Sequence, residues 1–569
     1  MSDAGSRGPA ARISRREWRR VIAFTLFTLA LTSLPYLVGW LRADESWRFS
    51  GFVFGVEDGY SYLGKMRLGA RGLLDFHLFY TPEPHDAIPF VFLPYLLPGW
   101  LVGRLVDSSN PALYDALIAV FHGMRIAFSA LLIAVLYRFI AAFVRAPGTR
   151  LLALALATFG GGFGWLLMLS GQSDWLGSLP PEFFIPEGFS PLIMIGLPHL
   201  ALARAALLGG LLLILRATAP AAGPLIERRR LLLSLGAALC WWVVGLAVPF
   251  YLAILYCILA AWGMAWWLRG GLRRAQFPAR LALYGGLAAA LTLPAFAYFA
   301  AAFALNPAFA QWSAQNLLPS PHPLHYLLAY SVLGIPALWG ARYAWRRAND
   351  ERGALLCGWL VVVPLLVYLP INVQRRMAEA VIVPLAILAA CGMAALARKL
   401  RPRLRRPARA SLLAVASLSS LMIVVGLTAA ALAQNKPIHR PAAELRALAW
   451  LNADAPADSI VLASMATGNI LPAYTNLRPF VGHGPETLDA VPKSLEVGRF
   501  MRGLLTSEEE AELLTVDCVP ARTDCSARVT YIFYGPAERA LARDLTPPEW
   551  LTRFEQVYDV DDYAIYRVP

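Results

Sequence analysis

The sequence predicts a polytopic α-helical membrane protein that ends in a small α/β domain, and three observations carry that expectation. Of its 569 residues, 58% are apolar, and the mean hydropathy of +0.52 is one that soluble globular chains rarely reach. Apolar runs recur along residues 21–433, each near the ~20 residues a helix needs to span ~30 Å of hydrocarbon. From Gln434 onward the chain turns polar and mixes helix and strand patterns.

The first element is a basic tail, residues 1–20, carrying Arg15, Arg16, Arg19 and Arg20. The run from Val21 to Leu41 is longer than the ~7–15-residue core of a signal peptide, and no small-x-small pattern closes it. It therefore reads as a retained first helix. The later apolar runs fall at 113–143, 150–169, 191–216, 231–248, 250–268, 280–302, 322–345, 353–370, 377–397 and 409–433, which predicts about 11 transmembrane helices.

Basic clusters at Arg228 to Arg230, Arg269 with Arg273 and Arg274, Arg342 with Arg346 and Arg347, and Arg398 to Arg409 fall where alternate helices emerge. That bias marks cytoplasmic loops. The net charge of +14 is then an orientation signal, and these loops lack the interleaved aromatics that would stack on nucleic-acid bases. The amino terminus is placed in the cytoplasm and the 434–569 domain outside.

Pro89 to Val106 is apolar enough to suggest another crossing. If it crossed, every later arginine cluster would change sides, and Pro94 and Pro98 oppose one straight span. It is expected to lie along the surface or re-enter the outer leaflet, leaving 42–112 as one long outer loop. Within that loop Leu63, Met66, Ala70 and Leu73 recur at helical spacing, with Lys65, Arg67 and Arg71 at other positions. This predicts a short amphipathic helix starting after Asp58, either in the headgroup plane or packed on the bundle.

In the last segment, Pro441 to Leu451 and Glu508 to Leu514 read as helices, and Ser459 to Ala463 and Val529 to Tyr534 as strands. Thr467-Gly468-Asn469 and Gly482-His483-Gly484-Pro485-Glu486-Thr487 are glycine-rich loops. They make Asn469, His483 and Glu486 ligand-contact candidates, or else structural turns. Cys240, Cys257, Cys357 and Cys391 lie in apolar runs, whereas Cys518 and Cys525 sit where a disulfide is permitted.

Several residues carry candidate chemistry. Glu57 and Asp58 are adjacent acids after the first helix. Such a pair divides the tasks of accepting a proton and orienting an acceptor or metal, unless it is a solvated loop feature. Arg125 lies inside an apolar run, where an arginine pairs or faces a polar cavity; phosphate binding and pairing with Asp115 both account for it. Gln374, Arg375 and Arg376 occupy a short outer turn on the side normally poor in arginine, fitting either phosphate contact or anchoring. His199 follows Gly196-Leu197-Pro198 inside a crossing, as a substrate contact or a hydrogen-bonded core residue. The other histidines show no metal-ligand spacing. Gly160-Gly161-Gly162 sits in a predicted span rather than before a soluble helix, so nothing points to a nucleotide-driven engine.

The Glu57-Asp58-Gly59-Tyr60-Ser61-Tyr62 stretch, placed after a first helix and before the apolar segment Pro89 to Val106, resembles the loop acid motif of the GT-C superfamily of integral-membrane glycosyltransferases. The Asn372-Val373-Gln374-Arg375-Arg376 turn looks like that of bacterial members of this group. The resemblance implies a GT-C-like bundle, a polyprenyl-phosphate sugar donor in the outer leaflet, an envelope glycan, lipid or protein acceptor, and Asp58 as catalytic carboxylate beside Glu57. It matches Arg125 to a cavity arginine and leaves a divalent cation possible as cofactor. The chain lacks the tryptophan–tryptophan–aspartate motif of oligosaccharyltransferases, so protein N-glycosylation is not carried over. A transporter or flippase, or a noncatalytic envelope-assembly protein on the same fold, are the competing readings.

Overall fold

The computed structural model describes residues 13–220, 224–269, 276–346, 351–520, 526–543 and 548–569. It divides into two compact units: Met1–Leu34, Met124–Tyr298 and Leu318–Gly426 form the first, and Pro35–Gly123, Phe299–Leu317 and Leu427–Pro569 the second.

Among the described residues eight helices are long and apolar enough to cross a membrane: Arg15–Arg42, Leu113–Phe143, Pro198–Ala217, Leu225–Ala247, Tyr251–Leu268, Phe277–Leu305, Pro323–Arg346 and Gln374–Lys399. A ninth arises if Pro402–Ala416 and Leu418–Leu432, bent by 44°, count as one span. The chain is a multi-pass membrane protein; among the described residues these eight or nine helices meet the length and hydropathy a crossing needs, against the expected eleven. Predicted span 353–370 forms the 16-residue helix Glu351–Leu366. Predicted span 150–169 breaks into Pro147–Phe159 and Gly164–Leu169, so Gly160-Gly161-Gly162 interrupts a helix rather than sitting within one. The break has a cause: the amides of Gly162 and Gly164 donate to Glu182 Oε1 at 3.1 and 2.9 Å. A buried carboxylate thereby takes up donors that the interrupted helix leaves open.

In the first unit, helices Pro323–Arg346 and Ile382–Lys399 approach through Gly340 and Gly392. A Cβ on Gly392 would lie 1.8 Å from the Pro336 carbonyl oxygen, so only glycine permits this packing. Two buried ion pairs satisfy charges in the bundle: Glu17 with Arg150, and Glu379 with Arg204, each at 2.8 Å.

In the second unit, helix Val56–Ala70 packs on Leu93–Gly103. Contact is backbone to backbone, since a Cβ on Gly99 would meet the Met66 carbonyl oxygen at 1.8 Å. Leu93–Gly103 has 11 residues, which at ~1.5 Å per residue covers about half the bilayer core, too short to cross. The headgroup-facing version of the amphipathic helix needs correction. Helix Val56–Ala70 begins before Glu57 and Asp58, and its Lys65 and Arg67 are buried, at 0% and 3% exposure. Protein covers its charged side.

The carboxy-terminal segment builds a six-stranded sheet in which Arg478–Pro479, Ile460–Leu462, Ser526–Tyr534, Tyr563–Arg567 and Glu555–Val560 lie side by side, with Thr515–Asp517 pairing Ser526–Tyr534. Ile460–Leu462 runs parallel to both neighbours and the remaining pairs are antiparallel. Helices Ala442–Asp454 and Ser507–Leu513 match the expected ones. Ile460, Leu462, Phe480, Phe500, Ile532 and Tyr566 form part of its core. Cys518 is disulfide-bonded; Cys525, the partner expected for it, lies outside the described residues, as do Arg273, Arg274 and Arg347.

Candidate functional site

Gly55, at φ 54°, turns the chain into helix Val56–Ala70, whose first turn carries Glu57 and Asp58. Both carboxylates sit at the amino-terminal end of the helix. Both are exposed. The Asp58 side chain is 56% exposed, yet its Oδ1 lies 3.3 Å from Nε2 of His483, a side chain only 5% exposed.

Around this pair the second unit gathers all the loop candidates. The Asn469 amide donates to the Glu57 carbonyl oxygen at 3.4 Å, and the Asn469 carbonyl accepts from the Tyr80 hydroxyl at 2.7 Å. The Tyr80 ring lies 5.4 Å from the His483 ring. Burial, reinforced by Glu486 and Asp58, pushes the Tyr80 phenol well above its ordinary value, so it stays a neutral donor. Glu486 Oε1 accepts from Ser61 Oγ and Lys65 Nζ, both at 2.7 Å. Burial alone would raise the Glu486 carboxyl, but the Lys65 ammonium, His483 and those hydrogen bonds hold it below the ordinary value. Burial in turn lowers the Lys65 ammonium from its ordinary value, opposed by Glu486, and the two form a buried salt bridge at 2.7 Å.

The glycine-rich loop is fixed from several directions. Thr487 Oγ1 donates to the Tyr80 carbonyl at 2.8 Å and accepts from the amides of Gly482 and His483 at 3.1 and 3.2 Å. Gln315, in helix Pro307–Gln315, donates to the Thr487 carbonyl at 2.5 Å and accepts from the Asp489 amide at 3.2 Å. Gly468 and Gly482 permit backbone contact, as a Cβ on Gly468 would sit 1.9 Å from the Val481 carbonyl oxygen. The loop is thus a braced turn that also aims His483 at Asp58.

The remaining candidates lie in the first unit. Arg125 is buried, donating from Nη2 to Ser33 Oγ at 2.9 Å and from Nη1 toward the Met194 carbonyl at 3.5 Å. His199 is buried in the first turn of helix Pro198–Ala217. The Gln374 amide braces its own turn, accepting from the Ser320 amide at 3.1 Å and donating to the Leu369 carbonyl at 2.9 Å. Arg375 is half-buried, with its guanidinium 5.0 Å from the Phe184 ring centroid. Arg376 Nε bonds Glu187 Oε1 at 2.6 Å, and its guanidinium lies 5.4 Å from the Phe250 ring. The arginine-rich turn is thus partly explained by pairing with Glu187, and its Glu379 by Arg204.

Sequence reasoning did not place Lys65, Ser61, Tyr80, Gln315 or Arg204 among the site candidates. Asp58, Ser61 and Lys65 do share one helical face, a signal readable in advance. Among the described residues no group of three His, Cys, Asp or Glu converges. Asp58 with His483 alone does not fit a divalent ion held by three protein ligands.

A helical membrane body with an acid-bearing first loop and a carboxy-terminal α/β region defines a multi-pass membrane protein, and its fold is similar to that of a solved archaeal oligosaccharyltransferase. The chain is similar to the apo oligosaccharyltransferase of Archaeoglobus fulgidus, with a TM-score of 0.54 and 13% identity over 95% of this chain and 73% of that one. The same archaeal protein, tethered to an acceptor peptide containing the NVT sequon, gives 0.52 and 11% identity over 92% and 69%. ArnT from Cupriavidus metallidurans gives 0.47 and 14% over 96% and 98%. No protein-family model and no curated protein matches the sequence. At these identities the likeness to the archaeal protein establishes the fold alone.

Proposed function

We propose that the protein transfers a sugar from a polyprenyl-phosphate-linked donor to an envelope glycan, lipid or protein acceptor on the outer face of the membrane. The amino terminus is cytoplasmic and the carboxy-terminal segment extracytoplasmic in this reading, as the arginine clusters favour. The observation that carries it is Asp58: an exposed carboxylate at a helix start, held by a buried imidazole at 3.3 Å. A general base needs that combination of access and fixed orientation.

The reaction is an inverting displacement. The acceptor hydroxyl gives its proton to Asp58 as its oxygen bonds the anomeric carbon. The bond from that carbon to the phosphate oxygen breaks, and its electron pair leaves with the lipid phosphate. A phosphate is a good leaving group, so no strong general acid is obligatory. The leaving phosphate needs positive charge beside it, while Glu57 and Asn469 flank the acceptor.

The test is to incubate protein reconstituted in liposomes with a panel of polyprenyl-phosphate sugars and envelope extracts, detecting transfer by mass spectrometry. Transfer that survives Asp58→Asn at near wild-type rate would end the assignment.

A further inference from the structure

We infer that Lys65 and Glu486 form a buried positioning pair that holds His483 against Asp58. Its catalytic meaning rests on the reaction proposed above, but its geometry does not. Helix Val56–Ala70 carries Asp58, Ser61 and Lys65 at spacings of three and four residues, one above another. Glu486 is fastened to the last two, through its Oε1. The amides of Glu486 and Thr487 both donate to the His483 carbonyl, at 3.0 and 2.7 Å, so the turn tied down by Glu486 is the turn that carries the imidazole. His483 Nε2 then returns to Asp58, one turn before Ser61 on the same helix. Helix, ion pair, turn and imidazole close a ring on the carboxylate.

Lys65 is not a surface lysine that happens to find a partner. Its side chain is 1% exposed, and its ammonium lies 4.2 Å from the Phe92 ring centroid and 5.6, 5.7 and 5.8 Å from those of Phe76, Tyr62 and Phe79. Aromatic faces and one carboxylate replace its water. Apolar residues of the same volume would fill this space without desolvating two charges. What they would not supply is directional bonds that set where the 483–487 turn sits. Among the described residues neither Glu486 Oε2 nor His483 Nδ1 has a hydrogen-bond partner, so within these two side chains the turn is fastened through Glu486 Oε1 and His483 Nε2.

The test uses the full chain in lipid nanodiscs and two readouts: hydrogen exchange of peptides covering 482–489, and kcat and KM for sugar transfer. Lys65→Met alone would strand a buried carboxylate, so the decisive variant is Lys65→Met with Glu486→Gln, which removes both charges together. We expect exchange in 482–489 to accelerate about 10-fold. We also expect kcat to fall about 10²-fold while KM for the lipid-linked donor stays near wild type, the pattern of a displaced catalytic group rather than lost binding. Arg446→Ala, which removes an exposed pair with Asp561, should change neither readout. Wild-type exchange at 482–489 in the double variant overturns the inference, as does accelerated exchange with unchanged kcat. If the wild-type protein transfers no sugar from any donor, the proposed reaction fails instead, and the exchange result still decides whether the pair holds the turn.

Discussion

His483 Nε2 lies 3.3 Å from Asp58 Oδ1 across 425 residues of sequence, joining a buried imidazole to an exposed carboxylate. The asymmetry suits a base that an incoming hydroxyl must reach, with an orienting partner that it must not. In the tautomer protonated at Nε2, His483 donates to the Asp58 carboxylate.

Three substitutions should therefore separate in effect. Asp58→Asn keeps the shape and removes the proton acceptor, and transfer should fall by about 10²–10⁴-fold. His483→Ala leaves the base present but poorly aimed, so kcat should drop by roughly 10-fold or more with donor KM little changed. Glu57→Gln should be mildest, because the contact tying Glu57 to Asn469 runs through its backbone carbonyl. Initial rates in proteoliposomes test this order, and a Glu57 variant weaker than the Asp58 variant would reverse the assignment of the base.

The adjacent arginines should also behave differently from one another. Arg376 pairs with Glu187, whose side chain is 2% exposed, so Arg376→Ala leaves a buried carboxylate uncompensated and should cost about 3–5 kcal/mol of stability. Adding Glu187→Gln should restore most of that loss. Arg375, resting on the Phe184 ring, should lose donor affinity on change to alanine with a much smaller thermal shift. Melting in detergent alongside donor binding reads both; equal destabilisation by the two single variants would contradict the distinction.

Much of this architecture was legible because membrane class, loop acids and helix periodicity are local properties of the chain. Pro94, Pro98 and the arginine pattern were enough to place Pro89 to Val106 outside the crossing set, and Gly535 with Pro536 marked the end of the strand Val529 to Tyr534. What stayed hidden was the identity of the covering partner. Lys65 looked like a headgroup-facing charge because periodicity reports which side of a helix is polar, not that Glu486 packs there from 421 residues away. The same limit concealed Arg204 with Glu379 and Arg376 with Glu187. The break in the 150–169 segment was hidden for a different reason: hydropathy averages over Gly160-Gly161-Gly162, whereas Glu182 captures amides at the break.

The Lys65–Glu486 pair should show a characteristic stability order. Lys65→Met alone leaves the buried Glu486 carboxyl without its cation and should destabilise by about 3–5 kcal/mol. Removing both charges should cost less than removing one, since buried ion pairs return little net stability over neutral packing. Thermal melts of the two single variants and the double variant form a cycle, and simple additivity would show that the side chains do not interact.

Acidification should weaken the protein through His77. Burial, with Arg478 and His85 adding positive charge nearby, lowers His77 to about 3. An unfolded histidine titrates near 6.5, so between those values the unfolded chain binds the extra proton and the folded one does not. Stability is then complete above roughly pH 6.5 and declines as pH falls toward 3. His85, also lowered chiefly by burial, acts in the same direction. His77→Gln removes the titrating group and should flatten the fall in melting temperature between about pH 7 and pH 5, before carboxylates begin to protonate. A variant whose melting temperature drops as steeply as wild type over that window would show that His77 takes up its proton without leaving the fold.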